Sequence, residues 1–448
     1  MRVANEDWRT EIDRKVIPYV EYPGYENKYP TISGLSLSQN IIDEIRDTSA
    51  KLYKIFAKVT RVFQKCPENF MEKMDIPKEL IPYMNISNPL GIPTFLSRFD
   101  YVISENGIHM VEINADTPCA IPEAYYGNEV FSQFYDCESS DPNYASPHNL
   151  EEFLKDLFLK IYNIQIDIRN GAINTEHPFV FACFDDYIED KGNTLFLMNA
   201  MKHAVRDIAK EGMIEFVSFY DLKVDIDGST VIPDGRTAAA IYRLHPMELL
   251  IDEVADDGDK LGKMFMDGYK SGKFKMFNPP ESIIMQCKGF QALVWALHKA
   301  EKDNIFTTEE NSVIEKYMLP TYFEQDAKLD PGNKEKRWIK KPIWGREGNG
   351  ITVVDNNNNL ILVKDLDAPE EVVQREPKTC IYQEFVDQVK FQTETDDPDM
   401  KDGYFTLSCF MLGSTPDALY TRVSPEQIAG TEAYWSPIFI DDDSPWED

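Results

Sequence analysis

Paired or metal-spaced cysteines, long apolar runs and an excess of positive charge are all missing from this sequence. Its seven cysteines, at positions 66, 119, 137, 183, 287, 380 and 409, form no CxxC and no cluster with histidine. That spacing argues against a zinc site or a disulfide framework and suits reduced thiols. No apolar run approaches the ~20 residues that a membrane helix requires. The opening MRVANEDWRTEI has none of the features of a secretory signal. With 46 basic against 77 acidic residues, the net charge is −31. Such a chain repels a phosphate backbone, so nucleic acid is not expected as a partner. These absences lead to the expectation of a soluble, cytoplasmic protein. The acidic excess serves solubility and is compatible with a cationic substrate.

The 448 residues have room for two or three domains, and 43% hydrophobic and 12% aromatic content describe a globular chain. Apolar positions at Ile41, Ile42, Ile45, Leu52, Ile55, Phe56 and Val59 predict a helix over 37–65, and LEEFLKDLFLKIYNIQI predicts an amphipathic one over 150–166. HPFVFACF, EFVSFYDL and AAAIYRL read as buried strands around a helix in TLFLMNAMKHAVRDIAK, the pattern of a small parallel α/β unit. A helix over 286–300 and the charged segment EQDAKLDPGNKEKR then lead into antiparallel strands, with a polar turn at Asn356–Asn359. The expected class is mixed α/β and α+β, divided as 1–175, 176–276 and 277–448.

The stretch RFDYVISENGIHMVEINADTP puts charge on strands that ought to pack. Asn106–Gly107 marks a hairpin turn. A three-residue loop, Glu105–Gly107, pairs Ser104 with Ile108, and therefore Asp100 with Glu112 and Arg98 with Asn114. Those four side chains then share one face, opposite a mostly apolar face of Phe99, Tyr101, Ile103, His109, Val111 and Ile113. Two carboxylates directly across a ladder repel each other unless a cation lies between them. Mg²⁺ wants such hard oxygen ligands, Asn114 offers a third, and Arg98 suits a phosphate. A solvated Arg/Asp/Glu network satisfies the same pattern.

KKPIWGREGNGI places lysines before a glycine-rich turn that opens into an apolar strand. Glycines let backbone N–H groups approach phosphate oxygens, while Lys341 and Arg346 add charge. This is not a Walker sequence, and an ordinary hairpin loop has the same look. MQCKGFQALVWAL carries Lys288 at a helix start, and IYQEFVD reads as a strand running into a linker.

Taken in order, RFD at 98–100, E-x-N-A-D at 112–116, FDDYIEDKGNT, IYRLHPMELL, MQCKGFQALVW, KKPIWGREGNGI and YQEFV resemble the synthetase part of the glutathionylspermidine synthase family. The likeness runs from about residue 20 to 440 and implies an ATP-grasp-like fold with a small pre-ATP-grasp α/β domain. It implies an ATP- and Mg²⁺-dependent ligase that joins a peptide-like carboxylate to an amine such as a polyamine, through an acyl phosphate. On matching positions, Asp100, Glu112 and Asn114 would hold Mg²⁺, and Arg98 would steady the transferred phosphoryl group with Arg422 as a second arginine. Lys288 and Lys341 would hold ATP phosphates under the loop carrying Gly345, Arg346, Gly348 and Gly350. Gln383, Glu384, Phe385 and Val386 would line the adenine pocket, and Glu189 and Asp190 would face the amine.

The sequence also departs from the family. It opens without the Cys/His amidase of the bifunctional members. It has TPCAIPEA where those members carry small hydroxylated residues, so glutathione is not implied as the acid. Two other readings compete: a nucleotide-binding homologue without catalysis, and a two-carboxylate hydrolase. Carboxylates directly opposite on one ladder sit too close for an inverting glycosidase, and a hydrolase leaves the lysines and the loop unexplained.

Overall fold

The computed structural model describes residues 7–22, 26–162, 176–255, 257–300, 305–324, 336–346, 348–363 and 379–441. The expected end of the amphipathic helix at 163–166, most of the charged segment before Lys336, and Glu347 lie outside the described residues.

The first long helix runs Gln39–Phe63 and buries Ile42, Ile45, Leu52, Ile55, Phe56 and Val59, the stripe that its 3.6-residue periodicity dictates. The apolar face of the hairpin packs on it. The rings of Phe56 and Phe99 meet edge to face at 5.7 Å, and the hydroxyls of Ser49 and Tyr101 lie 2.7 Å apart.

The hairpin strands span Leu96–Ser104 and Gly107–Asn114. Asp100 pairs with Glu112 and Arg98 with Asn114, as alternation predicts, but the turn differs from expectation. Ser104 pairs with Gly107, so the loop is the two residues Glu105–Asn106, and Val111 is an extra residue bulged out between the two halves of the ladder. The reason is burial. In a regular ladder with a three-residue turn, Ile108 and Met110 would lie on the polar face. The bulge returns both to the core, 3% and 0% exposed, and leaves His109 beside the charged residues.

Leu96–Ser104 also pairs with Asp402–Leu412, which pairs with Thr415–Ser424 and through it with Tyr434–Ser436, completing a mainly antiparallel sheet with Lys390–Gln392 at its side. One face of this sheet therefore stacks three polar rows. Glu112, Asp100, Ser408 and Tyr420 form the middle row; Asn114, Arg98 and Phe410 lie on one side, and His109, Val102, Thr406 and Arg422 on the other.

The second region is the expected parallel unit. Strand Phe179–Cys183 lies between Ile214–Ser218 and Ala240–Arg243, with Lys275–Phe277 outermost, and the helix Ile188–Ala204 follows the first strand. A third, five-stranded antiparallel sheet contains Arg337–Pro342 flanked by Cys380–Glu384 and Thr352–Asp355, and the polar turn at 356–359 joins its last two strands.

The helix expected over 286–300 is found as Lys288–Lys299, and a short helix, Ser282–Gln286, precedes it across an extended Cys287. Gln286 holds the break, because its Oε1 accepts the N–H groups of Ala115 and Asp116 at 2.8 and 3.1 Å. Among the described residues no helix is long and apolar enough to cross a membrane.

Candidate active site

Three elements converge on the polar face of the central sheet. Phe290 packs against Phe56 and Phe63 at 5.5 and 6.3 Å, which anchors the second of the two helices and aims its first residue, Lys288, at the hairpin. Lys288 Nζ lies 3.4 Å from Glu112 Oε2 and donates to the Gly345 carbonyl at 2.8 Å. From the five-stranded sheet, Lys341 is 6% exposed; its Nζ donates to Gln383 Oε1 at 2.7 Å and to the carbonyl of the bulged Val111 at 3.4 Å. The bulge thus exposes a backbone acceptor where the lysine arrives. Gln383 is held in turn by Gln291 Oε1 and Thr321 Oγ1.

Within the hairpin, Arg98 grips Asp100 with two parallel bonds of 2.7 and 2.9 Å, and its third nitrogen donates to the Cys119 carbonyl. Asn114 Nδ2 donates to Asp100 Oδ2 at 3.1 Å. The electrostatics centre on Glu112. Burial pushes its carboxyl up, but Lys288, Lys341, Arg422 and Arg98 together override that and hold it well below the usual carboxylate range. Lys341 goes the other way. Burial pulls its ammonium down to about 8, against the attraction of Glu112 and with the repulsion of Lys288.

Among the described residues, two buried polar atoms on this face have no hydrogen-bond partner: Ser408 Oγ, beside Asp100, and Arg422 Nε. Buried polar groups are nearly always satisfied, so such orphans need an explanation.

The remaining expected site residues lie around this centre. Gly348 and Gly350 have φ of +73° and +71°, the left-handed backbone that the loop's tight turn requires. Arg346 is turned towards the parallel unit, where it pairs with buried Glu248. Glu384 pairs with Lys336 at 2.8 Å and Phe385 lies under the Arg337 guanidinium at 4.5 Å, with half-buried Val386 next in the chain. The N–H groups of Glu384 and Phe385 are bonded to the carbonyls of Pro320 and Arg337. Glu189 and Asp190 open the helix Ile188–Ala204, and their charges act on the half-buried Cys119, whose carbonyl accepts from Arg98.

Sequence reasoning missed several contributors. Asp116, the last residue of E-x-N-A-D, makes a fully buried ion pair with Arg243 and also accepts the Met247 N–H at 3.0 Å and the Ser282 hydroxyl at 3.0 Å. It ties the hairpin's end to the parallel unit. Its place in the motif was the available signal. Ser408 and Tyr420 carried none, because Ser408 reaches the face only by pairing with Asp100, about three hundred residues earlier in the chain, and Tyr420 only by pairing with Ser408.

A protein of Haemophilus influenzae named "Putative acid--amine ligase" is 22% identical over 272 residues, 60% of this chain. The match spans 57% of that relative's length. A solved structure of a glutathione synthetase-like effector of Globodera pallida, in apo form, superposes with a TM-score of 0.57 over 97% of this chain and 96% of its own, at 11% identity. That likeness identifies the fold as ATP-grasp-like. The family described as "Glutathionylspermidine synthase preATP-grasp" matches residues 2–441, and the chain belongs to it.

Proposed function

We propose that the polar face is the active site of an ATP- and Mg²⁺-dependent ligase that joins a carboxylate to an amine. One observation carries the reading: in a chain of net charge −31, four cations converge on Glu112 beside two unsatisfied polar atoms. So dense a positive site in an acidic protein suits a polyanion such as a nucleoside triphosphate.

The donor chemistry fits Mg²⁺. Asp100 and Glu112 face each other on one row, and Asn114, its nitrogen used on Asp100, offers its amide oxygen. Oδ1 of Asp100 retains a lone pair beside its bond to Arg98. Mg²⁺ is commonly held by one or two carboxylates and completes its shell with phosphate oxygens and water. Bound there, Mg²⁺ would neutralise charge on the phosphates.

The chain's own residues would supply the rest. Lys288 and Lys341 would hold the phosphates, with Gln383 fixing the lysine's direction and the loop of Gly345, Arg346, Gly348 and Gly350 closing over them. Gln383 to Val386 would border the base. Arg98 and Arg422 would steady the phosphoryl group as a substrate carboxylate oxygen bonds to the γ-phosphorus and ADP leaves. An amine entering from the side of Glu189 and Asp190 would then form the C–N bond, and phosphate would depart with the former carboxylate oxygen. Positioning and charge neutralisation account for the catalysis.

The test is ADP release across pairs of small peptides and amines, with and without Mg²⁺. ADP that requires both partners supports the ligase; ATP binding without turnover identifies a non-catalytic homologue; no nucleotide binding removes both.

Lys341 adds a pH signature. Its ammonium is charged below about 8 and neutral above, so ATP affinity will fall as pH rises through that value. Lys341→Arg will flatten the dependence, because a guanidinium stays charged. Nucleotide titrations from pH 6.5 to 9.5 measure this, and a wild-type affinity constant to pH 9 would refute the role. Because the folded value lies below the ordinary 10.5, the unfolded chain binds more protons between the two, and this group makes stability rise with pH across that window.

A further inference from the structure

Behind the Arg98 site lies a carboxyl that the ligase mechanism does not use. The chain leaves the hairpin through Thr117–Pro122, turns at Ala120 with φ of +69°, and enters a single wide helical turn, Glu123–Gly127. Glu123 is 0% exposed, and among the described residues neither of its carboxylate oxygens has a hydrogen-bond partner. Among the described residues it pairs with no cation. The hydroxyls of Tyr19 and Tyr29 lie near enough to favour its ionised form, but neither makes a bond of normal geometry to it. Burial first, and then the nearby charge of Glu189, push its carboxyl up to about 8.

The surroundings are aromatic and negatively charged. Tyr19, Tyr22 and Tyr29 touch one another, with ring centres 5.9, 6.0 and 5.7 Å apart. Tyr22 donates to Glu189 Oε2 at 2.7 Å, and the hydroxyls of Tyr29 and Tyr420 are 3.0 Å apart. Tyr420 joins this cluster to the reaction site, since the Arg98 guanidinium lies 5.6 Å from its ring centre. The Cys119 carbonyl that accepts from Arg98 is four residues before Glu123. A buried carboxyl facing a second carboxylate is costly unless a cation joins them. Tyrosine faces and hydroxyls are the natural walls for an alkylammonium, which the ring quadrupole attracts and the oxygens hydrogen-bond.

We propose that Glu123 and Glu189, enclosed by Tyr19, Tyr22 and Tyr29, bind the ammonium group of the amine substrate, and that Glu123 is a specificity-determining residue for an aliphatic amine. The inference rests on the ligase reading and extends it from the half-buried acidic pair to a fully buried carboxyl.

Calorimetric titration of the full chain with putrescine and spermidine, against uncharged 1,4-butanediol, tests it. The wild type will bind the amines and not the diol. Glu123→Gln keeps the size of the side chain and removes its capacity to ionise against a bound ammonium; it will weaken amine binding by about 10- to 100-fold, while ATP affinity and melting temperature stay near wild type. An unchanged amine affinity in Glu123→Gln overturns the proposal, as does a wild type that binds neither amine. Loss of ATP and amine binding together also overturns it, by making Glu123 a structural residue. The two readings fail separately. Amine binding that depends on Glu123 without ADP release from any acid refutes the ligase and leaves the amine site. Ligation unaffected by Glu123→Gln refutes the amine site and leaves the ligase.

Discussion

Glu112→Gln will lower Mg²⁺-dependent ADP formation by about 10³-fold, the scale of removing one electrostatic contact to a reacting phosphate. It will also tighten the binding of Mg²⁺-free ATP. Both follow from one arrangement: Glu112 is the anion on which Arg98, Lys288, Lys341 and Arg422 converge. On the proposed reading, an amide there would remove a metal ligand and leave the four cations facing the triphosphate with less opposition. The opposite signs separate this account from simple unfolding, which would weaken nucleotide binding under both conditions. Equilibrium binding of ATP with EDTA, beside steady-state ADP release with Mg²⁺, measures them. Full turnover in Glu112→Gln would show that the carboxylate takes no part. Asp100→Asn is the less clean variant, because it also leaves buried Arg98 without its ion partner.

The second large effect is on stability. Arg243→Met will destabilise the fold by roughly 3–5 kcal/mol, the cost of leaving a buried carboxylate uncompensated. Arg243 and Asp116 are both wholly buried, and Arg243 also donates to the His245 carbonyl at 2.6 Å. The urea midpoint will fall with little change in slope. The double variant Asp116→Asn, Arg243→Met will recover much of the loss, because the orphaned charge is then gone. A single variant within about 1 kcal/mol of wild type would mean that water reaches Asp116 and that the pair does not hold hairpin and parallel unit together.

Much of the hairpin was legible because strand alternation is a strict rule: once Asp100 faces Glu112, the face follows. The turn was not. An inserted residue leaves no mark on the local pattern, and the bulge at Val111 is determined by which register buries Ile108 and Met110, a property of the packed sheet. The first long helix and the parallel unit were legible from periodicity. The break at Cys287 was hidden, because apolar spacing continues through it and the cause, Gln286 bonded to Ala115 and Asp116, is distant in sequence. The same applies to the sheet's middle row. Ser408 and Tyr420 look like ordinary strand residues until Asp402–Leu412 is paired with Leu96–Ser104. Gln383 could be placed on a strand, but its bond to Lys341 depends on two strands meeting. Glu123, the lone acid of TPCAIPEA, was visible as a letter and not as a buried charge.

The most direct test of the central claim follows one oxygen atom. With an acid substrate labelled with ¹⁸O in its carboxylate, a partner amine, ATP and Mg²⁺, a ligase acting through an acyl phosphate transfers one labelled oxygen to each phosphate released. Mass spectrometry of that phosphate will show one ¹⁸O per molecule, in proportion to the amide formed. Unlabelled phosphate accompanying ADP would mean that water, and not the carboxylate, attacks the γ-phosphorus, and would contradict the account.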